Sequence, residues 1–131
     1  MKRLTLLVCV LAACSRPAPP PMATITEPAE GWMGPAPVKF VLSATNTTIA
    51  AVADQKPGGS HFHLFLNVDP SAEGEPIPSG NPAILHLGGG QSEYTYESLP
   101  PGNYRVIVVL ADNAHVPLPG QRTDTLAFMV H

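Results

Sequence analysis

The chain has 131 residues, 16 of them Pro and 11 Gly, with 44% hydrophobic and only 13% charged residues. Such a composition supports a packed core and excludes a disordered chain, while the length fits one domain and excludes a large multidomain enzyme. The net charge of −3 argues against a nucleic-acid-binding surface.

Met1-Lys2-Arg3 is a short basic start, and Leu4 to Leu11 is an apolar run. The run is too short to span a bilayer but has the length of a signal-peptide core. It ends in Leu11-Ala12-Ala13-Cys14, which resembles the lipobox of bacterial lipoproteins. There the cysteine thiol takes a diacylglyceryl group and cleavage leaves it as the new N-terminus. An ordinary cleavage site beside an incidental cysteine is the alternative. On the lipoprotein reading, residues 1–13 are a signal peptide and Cys14 is lipidated. Lys2, Arg3 and Cys9 are then lost, and the net charge becomes −5. No free thiol remains for a disulfide, a cysteine nucleophile or a thiolate metal site. Ser15, rather than Asp, after the lipidated residue leans toward the outer membrane, with the domain facing the periplasm. Residues 14–22 carry four prolines and read as a tether. Polyproline II at about 3.1 Å per residue would hold the domain roughly 25 Å from the membrane. The expected partners are the membrane, through the lipid, and envelope proteins.

Residues 23–131 are expected to form a single domain, and period-2 patterns dominate it. Ala23 to Thr26 reads as a first strand, followed by a turn-rich connection around Trp32, whose ring is expected to plug the core. Val38 to Ala44 alternates, with Val38, Phe40, Leu42 and Ala44 on one face, and Thr47 to Val52 reads as another short strand. In His61 to Val68 the even positions Phe62, Leu64, Leu66 and Val68 form an apolar face; His61, His63, Phe65 and Asn67 point the other way. Residues 69–83, rich in Pro and Gly, form a loop. Gln91 to Glu97 alternates aromatic and polar residues. Leu99-Pro100-Pro101-Gly102-Asn103 is a turn. Tyr104 to Ala111 is apolar on both faces, as a doubly covered central strand should be. A second loop runs to Arg122, and Thr123 to Val130 closes the chain with Leu126, Phe128 and Val130 inward. About seven short strands with Pro/Gly turns predict an all-β, antiparallel immunoglobulin-like sandwich, with a small barrel as the alternative.

The histidines carry the chemistry. His61 and His63 share one strand face about 6.6 Å apart along the chain, so both imidazoles can reach one metal at about 2.0–2.1 Å. His86 precedes Gly88-Gly89-Gly90, and His115 lies in the loop after the central strand. Imidazole ligands suit Cu(II), Zn(II) or Ni(II). Asp112, Glu93 and Asn67 are candidates for further ligands or for supporting hydrogen bonds. The competing reading makes His61 and His63 the solvated side of a half-buried strand. A hydrolase is disfavoured, because no G-x-S-x-G elbow exists, and the glycine run lacks the residues of a phosphate-binding loop.

Gly59-Ser60-His61-Phe62-His63-Leu64-Phe65-Leu66-Asn67, His86-Leu87-Gly88-Gly89-Gly90-Gln91-Ser92-Glu93, Leu99-Pro100-Pro101-Gly102 and Leu110-Ala111-Asp112-Asn113-Ala114-His115-Val116-Pro117 occur in this order. Together they resemble the domain-of-unknown-function family 4399, over roughly residues 24–130. The resemblance implies an exported small β domain with recurring histidines at His61, His63, His86 and His115. The chain departs from the family pattern at Ser60 and Phe62, where the family runs histidines together, and at Leu118, where it often has another. The expected function is a non-enzymatic binding module, with Cu(II) or Zn(II) on the four histidines and affinity falling below about pH 6. The alternative is a structural or protein-interaction domain of the envelope without a metal. Clustering of the four side chains within about 5 Å would favour the metal.

Overall fold

A computed structural model describes residues 12–131. The signal peptide expected over residues 1–13 lies, apart from Ala12 and Ala13, outside the described residues, and Cys14 is exposed. Among the described residues no helix is long and apolar enough to cross a membrane.

Nine strands follow in order among the described residues: β1 (Met22–Glu27), β2 (Met33–Gly34), β3 (Val38–Thr45), β4 (Thr48–Ile49), β5 (Gly59–Leu66), β6 (Ile84–Leu87), β7 (Glu93–Tyr96), β8 (Gly102–Ala111) and β9 (Asp124–Val130). One sheet has the order β1-β3-β7; the other has β2-β9-β8-β5-β4, with β6 paired to β5. The fold is the expected all-β, immunoglobulin-like sandwich. The long pairings are antiparallel, while the two-residue strands β2 and β4 pair in parallel with β9 and β5. Tyr104, near the start of β8, donates its hydroxyl to Pro100 O at 2.6 Å. This closes the Leu99–Asn103 turn in the way a tyrosine corner does in immunoglobulin-like domains.

Alternation places Val38, Phe40 and Leu42 of β3 against Phe62 and Leu64 of β5, Val106, Val108 and Leu110 of β8, and Leu126, Phe128 and Val130 of β9. Phe40 meets Phe128 edge-on with ring centres 5.5 Å apart. The expected plug, Trp32, is half-buried and packs on Phe128 at 6.4 Å.

A second, smaller core lies on the outer face of the large sheet. Phe65, Ile107, Val109 and Ala111 are buried there with Ile77 from the Pro-rich 69–83 loop. This cover explains why β8 is apolar on both faces. It also corrects the expectation for Val68, which packs on the outer core and not beside Phe62. Asn67 adopts φ +57°, so the alternation of β5 ends at Leu66 and the chain turns over before Val68.

Two further strands differ from expectation. Thr47 to Val52 contributes only β4 before a 3-10 turn over Val52–Asp54. Ile84–Leu87, unassigned from sequence, pairs with β5 as an added edge strand. At the N-terminal end, Pro20 O accepts from Asn46 Nδ2 and Pro21 O from the Arg122 backbone N–H. The expected tether therefore meets the domain two residues before Met22.

Ile77 is the apolar anchor of its loop and is only 6% exposed. Ile77→Ala is expected to lower unfolding free energy by about 2 kcal/mol or more. A urea midpoint equal to that of the parent chain would mean that the outer core does not hold the loop.

Candidate metal centre

The four histidines come together on the covered outer face of β5. His61 and His63 are i and i+2 on this strand, and they face outward because Phe62 and Leu64 fill the sandwich interior. Antiparallel register sets His86 of β6 directly opposite His63. On the other flank, Ala111 and Val109 of β8 lie opposite His61 and His63.

Two local devices place the remaining rings. The His86 imidazole lies over Gly88, where an added Cβ would come within 2.3 Å of the ring. Gly88 is therefore a close-approach glycine, a role beyond the tight turn that its sequence suggests. His115 sits at φ +61° in a loop tied by Asp112, whose Oδ1 accepts from the backbone N–H groups of Ala114 and Val116 at 2.9 and 3.0 Å. His115 O in turn accepts from the Ile77 backbone N–H at 2.8 Å, joining this loop to the 69–83 cover.

One ring nitrogen from each of His61, His63, His86 and His115 falls in a set whose members all lie within 4.8 Å of one another. His61 Nε2 and His63 Nε2 are 2.9 Å apart, and His86 Nε2 and His115 Nε2 are 3.1 Å apart. In each pair one nitrogen donates and the other accepts. A tetrahedral ion with bonds of about 2.05 Å sets its ligand nitrogens about 3.4 Å apart. The close pairs need to open by about half an ångström or less to match it.

The cluster is graded in burial. His61 and His63 are 0% and 3% exposed, His115 is intermediate and His86 is exposed. The competing reading, with His61 and His63 on a solvated strand side, does not hold, because the loops cover that face. Burial, together with the neighbouring imidazoles, lowers His61 to about 4 and His63 to about 3. The Asp112 carboxylate acts the other way on His61 and is outweighed. Although its residue surface is exposed, His86 is also held below its ordinary value, by partial desolvation of the ring first and then by His115. At neutral pH the buried pair is uncharged, the protonation state a metal requires.

Of the other candidates, Asp112 lies beside the cluster and shapes its loop. Glu93 is not part of the site: it sits on β7 in the opposite sheet, paired with Lys39 at 3.2 Å on the surface. Asn67 is also excluded, since β5 has ended there and its Oδ1 accepts from the Arg105 backbone N–H. Both are near a histidine in sequence and far from it in register. Ser60 and Phe62 share the even parity of β5, and Ser60 Oγ bonds Thr47 Oγ1. Histidines at those positions would point away from the cluster, so these departures from the family pattern remove no ligand.

The family model Domain of unknown function (DUF4399) matches residues 38–131. The chain belongs to the DUF4399 family. The DUF4399 match runs from β3 to the C-terminus and contains all four histidines; β1 and β2, which the resemblance over roughly residues 24–130 took in, lie outside the matched residues. No curated protein matches the chain. Among solved structures, the extracellular domain of a one-component system from B. thetaiotaomicron is similar at a TM-score of 0.47 and 15% identity, covering 89% of this chain and 16% of that one.

The buried imidazoles make the metal-free fold acid-sensitive. The unfolded chain carries them near 6.5, while the folded chain holds His61 at about 4 and His63 at about 3. Below pH 6.5 the unfolded state therefore binds more protons. Stability is full above that pH and is lost as pH falls toward 4, by on the order of 3 kcal/mol per histidine. The urea midpoint of the metal-free chain is expected to fall steadily from pH 6.5 to 4, and more gently in His63→Leu. A midpoint flat across that range would mean the imidazoles are solvated.

Proposed function

We propose that this DUF4399 chain is a non-enzymatic metal-binding module of the bacterial cell envelope, taking one Cu(II) or Zn(II) ion on His61, His63, His86 and His115. The observation that carries this reading is the buried His61–His63 pair within the four-histidine cluster. The Nδ1 atoms of both rings are buried and have no hydrogen-bond partner among the described residues. Unsatisfied buried polar atoms are costly, and a purely structural position would be filled at lower cost by an apolar side chain. An ion held through the Nε2 atoms leaves Nδ1 unpaired, so its bonds to the rings must outweigh that cost.

Both metals suit a set of neutral imidazoles, with Cu(II) favoured over Zn(II) by the general order of divalent affinities. The same unsupported Nδ1 atoms limit the strength. Metal-bound histidines usually donate the second ring N–H to a neighbour, and each missing partner costs about 1–3 kcal/mol. Micromolar affinity follows more naturally than subnanomolar. The envelope location rests on the basic start, apolar run and Cys14 of the sequence, which support lipid anchoring, and on Ser15, which favours the outer membrane.

Calorimetric titration of the full chain with Cu(II) and Zn(II) at neutral pH is expected to give one site of micromolar affinity or tighter. His61→Ala/His63→Ala should abolish it. A flat titration of folded protein would retire the metal and leave the protein-interaction reading.

The pH dependence separates this cluster from four ordinary histidines. Four imidazoles at pKa 6.5 would lose on the order of 10⁵-fold or more in affinity between pH 7 and 5. With His61 and His63 already neutral down to about 4 and 3, the loss is expected to stay within about 10³-fold. The fall below pH 6 anticipated from sequence is thus much shallower. Gly88→Ala, which displaces the His86 ring, should weaken binding about tenfold or more while the chain remains folded by circular dichroism. Unchanged affinity in that variant would remove His86 from the ligand set.

A further inference from the structure

His63, His86 and His115 also line a cleft of about 390 Å³. Its remaining wall is largely apolar, with Pro76, Pro78, Ile84 and Ala114, and includes Ser79. Small-molecule sites start at about 300 Å³ and pair apolar walls with a few convergent polar groups. The imidazoles supply the convergent groups here, and the Pro-rich loop supplies a wall fixed by Ile77.

Charge narrows the ligand. A divalent ion on four neutral imidazoles carries two positive charges. Asp112 contributes one negative charge beside His61, and its Oδ1 is already engaged by two backbone N–H groups. Among the described residues lining the cleft none carries a formally charged side chain. One positive charge is left facing an apolar wall, where an unpaired charge is costly.

We propose that the metal-loaded cleft binds a monoanion with an apolar body, its head group as a fifth ligand on the ion and its body along Pro76, Pro78 and Ile84. This rests on the metal-binding reading. It adds a second ligand to the site and makes the ion an anchor as well as a cargo.

The test uses the full chain loaded with one equivalent of Cu(II), with loading verified first by calorimetry. Benzoate is then titrated while the Cu(II) visible and electron paramagnetic resonance spectra are recorded, with azide as a monoanion lacking an apolar body and benzamide as a neutral analogue. A saturable one-to-one spectral change with benzoate, absent with benzamide and absent in calorimetry of the metal-free chain, is expected. Ser79→Trp, which places a large ring in the cleft, should weaken benzoate at least about tenfold relative to azide. A response to azide alone would overturn the apolar-body requirement, and equal benzoate binding without Cu(II) would overturn the metal anchor. Spectra unmoved by either anion in a loaded chain would overturn the proposal but leave metal binding intact. Failure to load Cu(II) or Zn(II) would remove both readings together.

Discussion

The site depends on β5 being buried on both faces. A strand sends successive side chains to opposite sides, so one short segment serves two environments. Phe62 and Leu64 close the sandwich interior, while His61, His63 and Phe65 face the outer core. In an immunoglobulin-like sandwich the outer face of a central strand is ordinarily wet. Here the 69–83 loop is pinned over it by Ile77, and the His115 loop is joined to that cover through a backbone hydrogen bond. Dry walls around two imidazoles follow directly, and with them neutral rings at any pH well above 4.

The four rings reach one point by three different routes. His61 and His63 get there by strand periodicity alone. His86 depends on antiparallel register with His63 and on the missing side chain at Gly88. His115 depends on a left-handed backbone angle stabilised by the Asp112 carboxylate, an arrangement in which an aspartate side chain satisfies the backbone of its own loop. The rings and the core side chains are separate residues, but they share β5, whose buried Phe62 and Leu64 turn His61 and His63 outward.

That separation explains what could be read from the sequence. Alternation in Val38–Leu42, in Phe62–Leu66 and in Leu126–Val130 is local, and it gave the sandwich and its inner core correctly. The shared face of His61 and His63 is equally local. Register is not. The four residues Ile84-Leu85-His86-Leu87 are too short to show a period, and nothing in them announces pairing with β5. Glu93 and Asn67 looked suitable because they stand close to His86 and His63 along the chain. The turn at Asn67 and the crossing of the chain from β6 to β7 in the opposite sheet carry them away. Burial of the outer face was hinted at by the two-sided apolar character of β8. The covering residue, Ile77, stands alone among prolines and polar residues, where no pattern singles it out.

The grading of exposure within the cluster bears on what it is for. A histidine kept for packing has no need of three others within 4.8 Å, and mutual repulsion of their charged forms penalises such crowding. Hydrogen bonding among them satisfies one nitrogen in each of the buried rings and leaves Nδ1 of both without a partner. Among the described residues the buried Tyr96 hydroxyl in the opposite sheet also lacks a partner, but only at His61 and His63 do the unpaired atoms belong to a cluster of possible metal ligands. The buried pair fixes two nitrogens rigidly on a strand. His86 and His115 stand nearer solvent, on an edge strand and a loop. The four rings thus grade from a buried strand to an edge strand and a loop, and three of them, His63, His86 and His115, face the cleft.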